Sequence, residues 1–192
     1  MPLHVDKRGV RALGVAESFV KGREKSILAG VVMRADLIVD GFGFSTTTVG
    51  GMDATDSIIR LYKGLRRDDI NVLLLNGCII SWYNVVDLPR LAESLETPLI
   101  CVTYEESEGL EKYFMEYFPD DWTLRVEVYR RNGARTPIKL HTGHTILVRF
   151  LGMDENEAKI LLDKFTLHGA VPEPLRVARL LARSLLRAGL RG

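Results

Sequence analysis

Ile70-Asn-Val-Leu-Leu-Leu-Asn-Gly77 is an almost unbroken apolar run, opened by Asp68 and Asp69 and closed by Asn76-Gly77. A strand apolar on both faces is what a parallel sheet covered by helices on either side requires. A polar side chain and a glycine at its carboxyl end mark the edge where such sheets place their ligands. Asn76 is therefore the first candidate for function; the alternative is a turn cap, which Asn-Gly pairs also form.

Around this strand the chain alternates. Upstream, Arg11 to Val20, Ser26 to Met33 and Ala35 to Asp40 read as strands joined by short polar connections, so hairpins and antiparallel pairing are expected. Gly41 to Gly51, rich in Gly and Thr, is either an extension of the hairpin or a loop. Asp53 to Leu65 has helical spacing, with Asp53 and Asp56 in its first turn. Downstream, Val85 to Leu95 predicts a helix, Pro98 to Thr103 a buried strand and Glu108 to Phe118 an amphipathic helix. Trp122 to Tyr129 alternates like an edge strand, and Asn132-Gly133 marks a turn. Ile138 to Leu151 is apolar enough for a strand segment. Asp154 is a plausible N-cap for a helix to Phe165, and Pro172 opens a helix reaching about Ala188.

The chain has 192 residues, 46% of them hydrophobic and 27% charged, which fits one α/β domain spanning 1–192. A net charge of +1 excludes a global field that draws the protein to nucleic acid or membrane, so any basic surface is local. Cys78 and Cys101 sit in or beside apolar runs and read as core thiols of an intracellular protein. Met1 to Val10 carries Asp6, Lys7 and Arg8 without an apolar centre, and no stretch is long enough to span a bilayer. A cytoplasmic protein with no membrane partner is the expectation.

Two stretches carry a resemblance. Residues 68–77, continued to Pro98-Leu-Ile-Cys-Val102, resemble the endonuclease V segment in which a buried strand ends in a catalytic Asp-Gly. Ala170-Val-Pro-Glu-Pro-Leu-Arg-Val-Ala-Arg-Leu-Leu-Ala182 resembles the carboxyl-terminal helix of the same enzymes. Asp-Ala-Thr-Asp (53–56), Asn-Val-Val-Asp (84–87) and Pro-Glu-Pro-Leu-Arg-Val-Ala (172–178) are similar to motifs of the deoxyuridine endonuclease relatives of endonuclease V. The resemblance implies a ribonuclease H-like α/β fold, a mixed sheet of three antiparallel strands followed by parallel βα units, with helices on both faces. It implies a Mg²⁺- or Mn²⁺-dependent endonuclease, active in nucleic-acid repair near a deaminated base such as deoxyuridine or deoxyinosine. DNA is expected as the partner ahead of RNA, and a homodimer is left open.

The resemblance also assigns residues. Endonuclease V's Gly-Val-Asp-x-Ser-Phe meets Gly14-Val-Ala-Glu-Ser-Phe19, so Ala16 stands where the catalytic Asp is expected and Glu17 is the nearest acid. Neighbouring strand residues face opposite ways, so Glu17 substitutes only if the strand is bulged or shifted. The helix acid falls at Asp53 or Asp56, with capping as the alternative. Asn76 replaces the Asp of the fourth strand, bringing an amide oxygen without charge, and Tyr104 replaces a lysine. The implied catalytic set is Glu17, Asp53 and Asn76, with Asp56 added for metal. His141 and His144 read as structural or surface residues, Asn84 as a helix N-cap and Asp87 as the acid of that helix's first turn, with a place near the metal or the scissile strand as the alternative for Asp87.

For nucleic acid, Trp82 and Tyr83 are placed to stack on an extruded base. Arg176, Arg179, Arg183, Arg187 and Arg191 recur at three- and four-residue intervals and line one helix face, which suits a phosphate backbone. Because two expected carboxylates are replaced, a catalytically weakened ribonuclease H-like protein that binds without cutting is the alternative. A protein-interaction domain using the arginine helix is the third reading.

Overall fold

In the computed structural model, residue 5, residues 9–104 and residues 109–189 are described. The chain forms β1 (Arg11–Ser18), β2 (Lys25–Arg34), β3 (Val39–Thr48), α1 (Ala54–Gly64), β4 (Val72–Asn76), β5 (Ile79–Ile80) and β6 (Asn84–Val85). It continues with α2 (Leu88–Leu95), β7 (Leu99–Thr103), α3 (Leu110–Tyr117), α4 (Trp122–Arg131), β8 (Thr136–Lys139), β9 (Thr145–Leu151), α5 (Glu155–Phe165) and α6 (Glu173–Arg187).

The main sheet runs β3-β2-β1-β4-β7-β9-β8. The three amino-terminal strands are antiparallel, and β4 and β7 join β1 in parallel. The mixed α/β sheet expected from the resemblance is therefore present. Beyond β7 the pairing is antiparallel rather than a further βα unit, through β9 and β8.

Alternation along the central strands decides what each face buries. Leu13 and Val15 of β1 and Leu73 and Leu75 of β4 pack with Ala54, Ile58, Leu61, Leu88 and Leu91 of α1 and α2. The opposite face sets Ala12, Val72, Leu74, Ile100 and Val102 against Ala158, Leu161, Leu162 and Phe165 of α5 and Leu175 of α6. Ala178 and Ala182 let α6 approach Ala16, Val31 and Ala29. Gly14 lets its first turn sit directly on β1: a Cβ there would lie 2.5 Å from the Pro174 carbonyl carbon. Cys78 and Cys101 are buried free thiols.

Several sequence expectations shift. Residues 34–37 are the hairpin turn, with Leu37 at φ 64, so the third strand is Val39–Thr48 and the Gly/Thr stretch is its body. Trp122–Arg131 is a helix, because Arg125 turns inward to bind distant carbonyls. Ile138 to Leu151 is two strands around a turn at Gly143, with both histidines exposed and His141 paired to Asp163. Asp154 caps α5 in a reciprocal capping box, as the sequence suggests. The proposed start of α3 at Glu108 lies outside the described residues.

Candidate active site

β1, β4 and β7 end side by side, and their carboxyl edge is where chemistry-bearing residues collect. β1 is not bulged: Ala16 pairs with Ala29, Glu17 with Leu28 and Ser18 with Ile27 in unbroken register. Ala16 therefore faces α6 and is packed against Ala178, while Glu17 shares the α1 side with Val15. Glu17 does not take the place that Ala16 vacates. It reaches a small, partly open cavity of about 10 Å³ lined by Ala16, Leu28, Ile58, Asn76, Gly77 and Ile80. That is about the space of one water molecule.

Burial pushes the Glu17 carboxyl above its ordinary range, and the backbone amide of Ser81 offsets part of this. Its Oε2 is buried without a hydrogen-bond partner among the described residues. A buried, unpartnered carboxylate oxygen is costly and needs an explanation beyond packing. Asn76 lies on the same cavity, so the structure brings these two candidates together.

Asp53 and Asp56 do not line that cavity. The Asp53 carboxylate accepts from the Thr47 hydroxyl (2.6 Å), the Thr48 amide (3.0 Å), the Thr48 hydroxyl (2.9 Å) and the Asn84 amide (2.8 Å). Burial raises its pKa, but these donors outweigh that and hold it well below the ordinary carboxylate range. Four donors hold the carboxylate, most of them on Oδ1, which accounts for Asp53 as a structural residue without a metal. Asp56 points away and pairs with Arg90 of α2. Asn84, expected as a cap for its own helix, instead accepts from the Ala54 amide of α1, and Asp87 caps α2.

On the α6 side of the same edge lies a cluster that joins Tyr104 and Arg176, both singled out in the sequence, to Glu173, which is not. The hydroxyl of Tyr104, Oε1 of Glu173 and Nε of Arg176 are buried without hydrogen-bond partners among the described residues. Glu173 Oε1 and Arg176 Nε form an ion pair at 3.2 Å whose alignment falls short of a hydrogen bond. Burial raises the Tyr104 pKa well above its ordinary value, while Arg179 and Arg176 pull it down, so the phenol remains a proton donor. The signal in the sequence was Pro-Glu-Pro-Leu-Arg, whose Glu and Arg fall one turn apart on the helix that reaches this edge. Arg183 and Arg187 continue along the exposed side of α6, and Arg191 lies outside the described residues.

Trp82 and Tyr83 sit in the turn between β5 and β6. Ser81, Trp82 and Tyr83 are consecutive left-handed residues at φ 46, 58 and 65. That backbone costs roughly 1–2 kcal/mol per residue and persists only when its surroundings dictate it. Here the Ser81 hydroxyl bonds that of Ser26 at 2.6 Å, the Ser81 carbonyl accepts from the Gly50 amide, and the Tyr83 carbonyl accepts from buried Arg125. Gly50 (φ 71) must be glycine, since a Cβ would lie 2.8 Å from the Trp82 ring.

As a test of the expected cation, Glu17 and Asn76 offer one charged and one neutral hard oxygen donor. Magnesium is commonly held by one or two carboxylates completed by waters and substrate phosphate, and this pair fits that mode. It does not fit a three-carboxylate cage: among the described residues no group of three or more His, Cys, Asp or Glu side chains converges. No helix among them is long and apolar enough to cross a membrane.

Comparison with known proteins agrees with this architecture. A model of the endonuclease dU family matches residues 8–186. A UPF0215 protein of Pyrobaculum calidifontis is 36% identical over 170 residues, covering 88% of this chain and 93% of that one. One from Methanocaldococcus jannaschii is 32% identical, covering 96% and 98%. A protein of unknown function from Archaeoglobus fulgidus superposes with a TM-score of 0.79 at 24% identity, over 92% of this chain and 98% of that one. Endonuclease V of Ciona intestinalis, solved with a 24-mer DNA containing an inosine followed by a ribo-adenosine, gives 0.64 at 13% identity, covering 94% and 87%.

Proposed function

The chain belongs to the endonuclease dU family, and we propose from that premise that it is an endonuclease of the endonuclease V type, cutting a nucleic-acid strand near a deaminated base. Deoxyuridine and deoxyinosine are the leading substrates, DNA ranks ahead of RNA, and nucleic-acid repair is the role. The inosine-containing DNA held by the Ciona protein of like fold supports that direction.

The observation that carries the reading is the set of buried polar atoms without hydrogen bonds at one sheet edge: Glu17 Oε2 on the α1 side, and Tyr104 Oη with the ion-paired Glu173 Oε1 and Arg176 Nε on the α6 side. Such atoms are stabilised once a ligand supplies their partners. A phosphodiester does so for the two donors, accepting from the Arg176 guanidinium and the Tyr104 hydroxyl, whereas the Glu17 oxygen needs a cation or a water. Arg179 and Arg183 extend the cationic face along the backbone of the strand.

Glu17 and Asn76 would hold Mg²⁺ or Mn²⁺ together with substrate oxygens. The ion supplies charge neutralisation at the phosphate and a more acidic water. Asp53 serves as a positioning residue, tying the end of β3 to Asn84, and Asp56 pins α1 to α2.

The test is nicking of labelled oligonucleotides that carry deoxyuridine, deoxyinosine or neither, in Mg²⁺, Mn²⁺ and EDTA. Metal-dependent nicking next to the deaminated base is the expected result. Binding without nicking in any lane supports the catalytically weakened relative that Ala16 and Asn76 also suggest.

A further inference from the structure

The left-handed turn does more than expose two aromatic side chains. It lays Tyr83 between two tyrosines of α3, one helical turn apart. The Tyr83 ring centroid is 6.1 Å from that of Tyr113 at 23° and 5.7 Å from that of Tyr117 at 26°; Tyr113 and Tyr117 are nearly parallel at 6.4 Å and 6°. Trp82 extends the row, 5.8 Å from Tyr117. At these separations the near-parallel rings are offset from one another. Tyr117 is 40% exposed. Phe114, beneath, is fully buried and does the packing that a hydrophobic core needs. Tyr83 leans edge-on against Phe114, 5.9 Å away, and Tyr113 and Tyr117 extend the row outward from that core.

Cations are placed on that layer. Lys21 Nζ, from the β1–β2 turn, lies 5.0 Å from the Trp82 ring and 5.7 Å from that of Tyr117, and Lys112 Nζ lies 4.9 Å from that of Tyr113. Glu116 also faces Tyr83, so charge alone does not define the surface. The row starts at the turn whose Ser81 amide contacts the Glu17 carboxylate, which ties it to the cutting edge.

We infer that Trp82, Tyr83, Tyr113 and Tyr117 are a stacking platform for two or more unpaired nucleotides flanking the cleaved bond, with Lys21 and Lys112 meeting their phosphates. Every base has a face that stacks on an aromatic ring, so the platform is indifferent to sequence and excludes paired bases, whose faces are already covered. The substrate class is then single-stranded or locally unpaired nucleic acid, rather than a duplex with one extruded base. With stacking dominant and few cations, the salt dependence of binding is shallow. The inference rests on the nucleic-acid reading above but not on cleavage.

Fluorescence anisotropy in EDTA tests it, using a labelled 15-mer of deoxythymidine, the same length of oligouridine, and a blunt hairpin duplex. The intact protein is expected to bind the single strands at least about tenfold tighter than the hairpin. Tyr117→Ala and Tyr113→Ala should each lose about tenfold on the single strand, the lower range for one stacked base. Tyr117→Phe and Tyr113→Phe should retain binding, and Trp82 emission should be quenched by the strand, as judged against Trp82→Phe. Equal affinity for hairpin and single strand, or alanine variants that bind like the parent, overturns the platform. Loss of binding in the alanine variants of a protein that never nicks leaves the platform standing and removes the nuclease reading. Nicking with binding unchanged in those variants does the reverse.

Discussion

Replacing Asp53 with Ala separates a structural carboxylate from a metal ligand. Its carboxylate joins the Thr47 and Thr48 hydroxyls, the Thr48 amide and the Asn84 side chain, at 2.6 to 3.0 Å. A hydrogen bond to a charged group contributes about 1.5–3 kcal/mol. The four do not add, because the Thr48 side of the carboxylate is open to water and the freed donors regain hydration there. The inward pair, from fully buried Thr47 and Asn84, dominates. About 3 kcal/mol is the expected loss, equivalent to roughly 6–12 °C in melting temperature for a domain of this size. The assay is chemical and thermal denaturation of both proteins in EDTA at pH 7. The sign with pH follows from the lowered pKa. The stabilisation is complete above the ordinary value of 3.8 and is lost as pH falls through the folded-state value, so the two proteins converge in acid. A ligand in a carboxylate cluster behaves oppositely, since removing one of several repelling charges stabilises the metal-free protein. An Asp53→Ala variant as stable as the parent in EDTA, or more so, refutes the reasoning.

Two further outcomes follow from the same geometry. Glu17→Gln removes a carboxyl whose folded-state pKa is raised by burial. The parent loses stability as pH rises from the ordinary value of 4.5 through the raised one, so the variant should melt higher at pH 8 and alike below pH 4.5. Gly14→Ala places a methyl group 2.5 Å from the Pro174 backbone, so α6 must move. A cost of about 1–3 kcal/mol is expected, read by urea denaturation, with nicking impaired because Glu173 and Arg176 shift with the helix.

Much of this architecture can be read in the chain. The run at 70–77 announces a doubly covered parallel strand because both its faces are apolar, and the capping box at Asp154 is a purely local signal. What escapes local reading is set by distant partners. Trp122 to Tyr129 alternates like a strand, yet it folds as a helix that carries Arg125 inward to the carbonyls of Gly50, Gly51 and Tyr83. The glycines of residues 41–51 leave a strand extension and a loop equally open in the sequence, and the structure takes the first, as Val39–Thr48. In the sheet, Gly41 and Gly43 alternate with exposed Phe42 and Phe44 and let α1 come close: a Cβ on Gly43 would meet the Leu65 side chain at 3.0 Å.

The site was half legible. Glu17 and Asn76 were named and do share a cavity. The acids of Asp-Ala-Thr-Asp looked like a pair one turn apart, but Thr47 and Asn84, both far away in sequence, claim the first, and Arg90 claims the second. Tyr104 is marked only by its match to a family lysine, and Glu173 only by the motif that carries it. Only folding shows that their polar atoms are buried without hydrogen bonds at the same edge as Asn76.

The most direct measurement is the single-turnover rate of nicking next to deoxyuridine and deoxyinosine by the parent, Glu17→Gln and Arg176→Ala, with each variant confirmed folded. The account predicts metal-dependent nicking by the parent and a loss of about 10²-fold or more in each variant, as expected for groups acting on the reacting phosphate. Nicking by both variants at the parental rate would contradict it, and would move the chemistry away from the edge formed by β1, β4, β7 and α6.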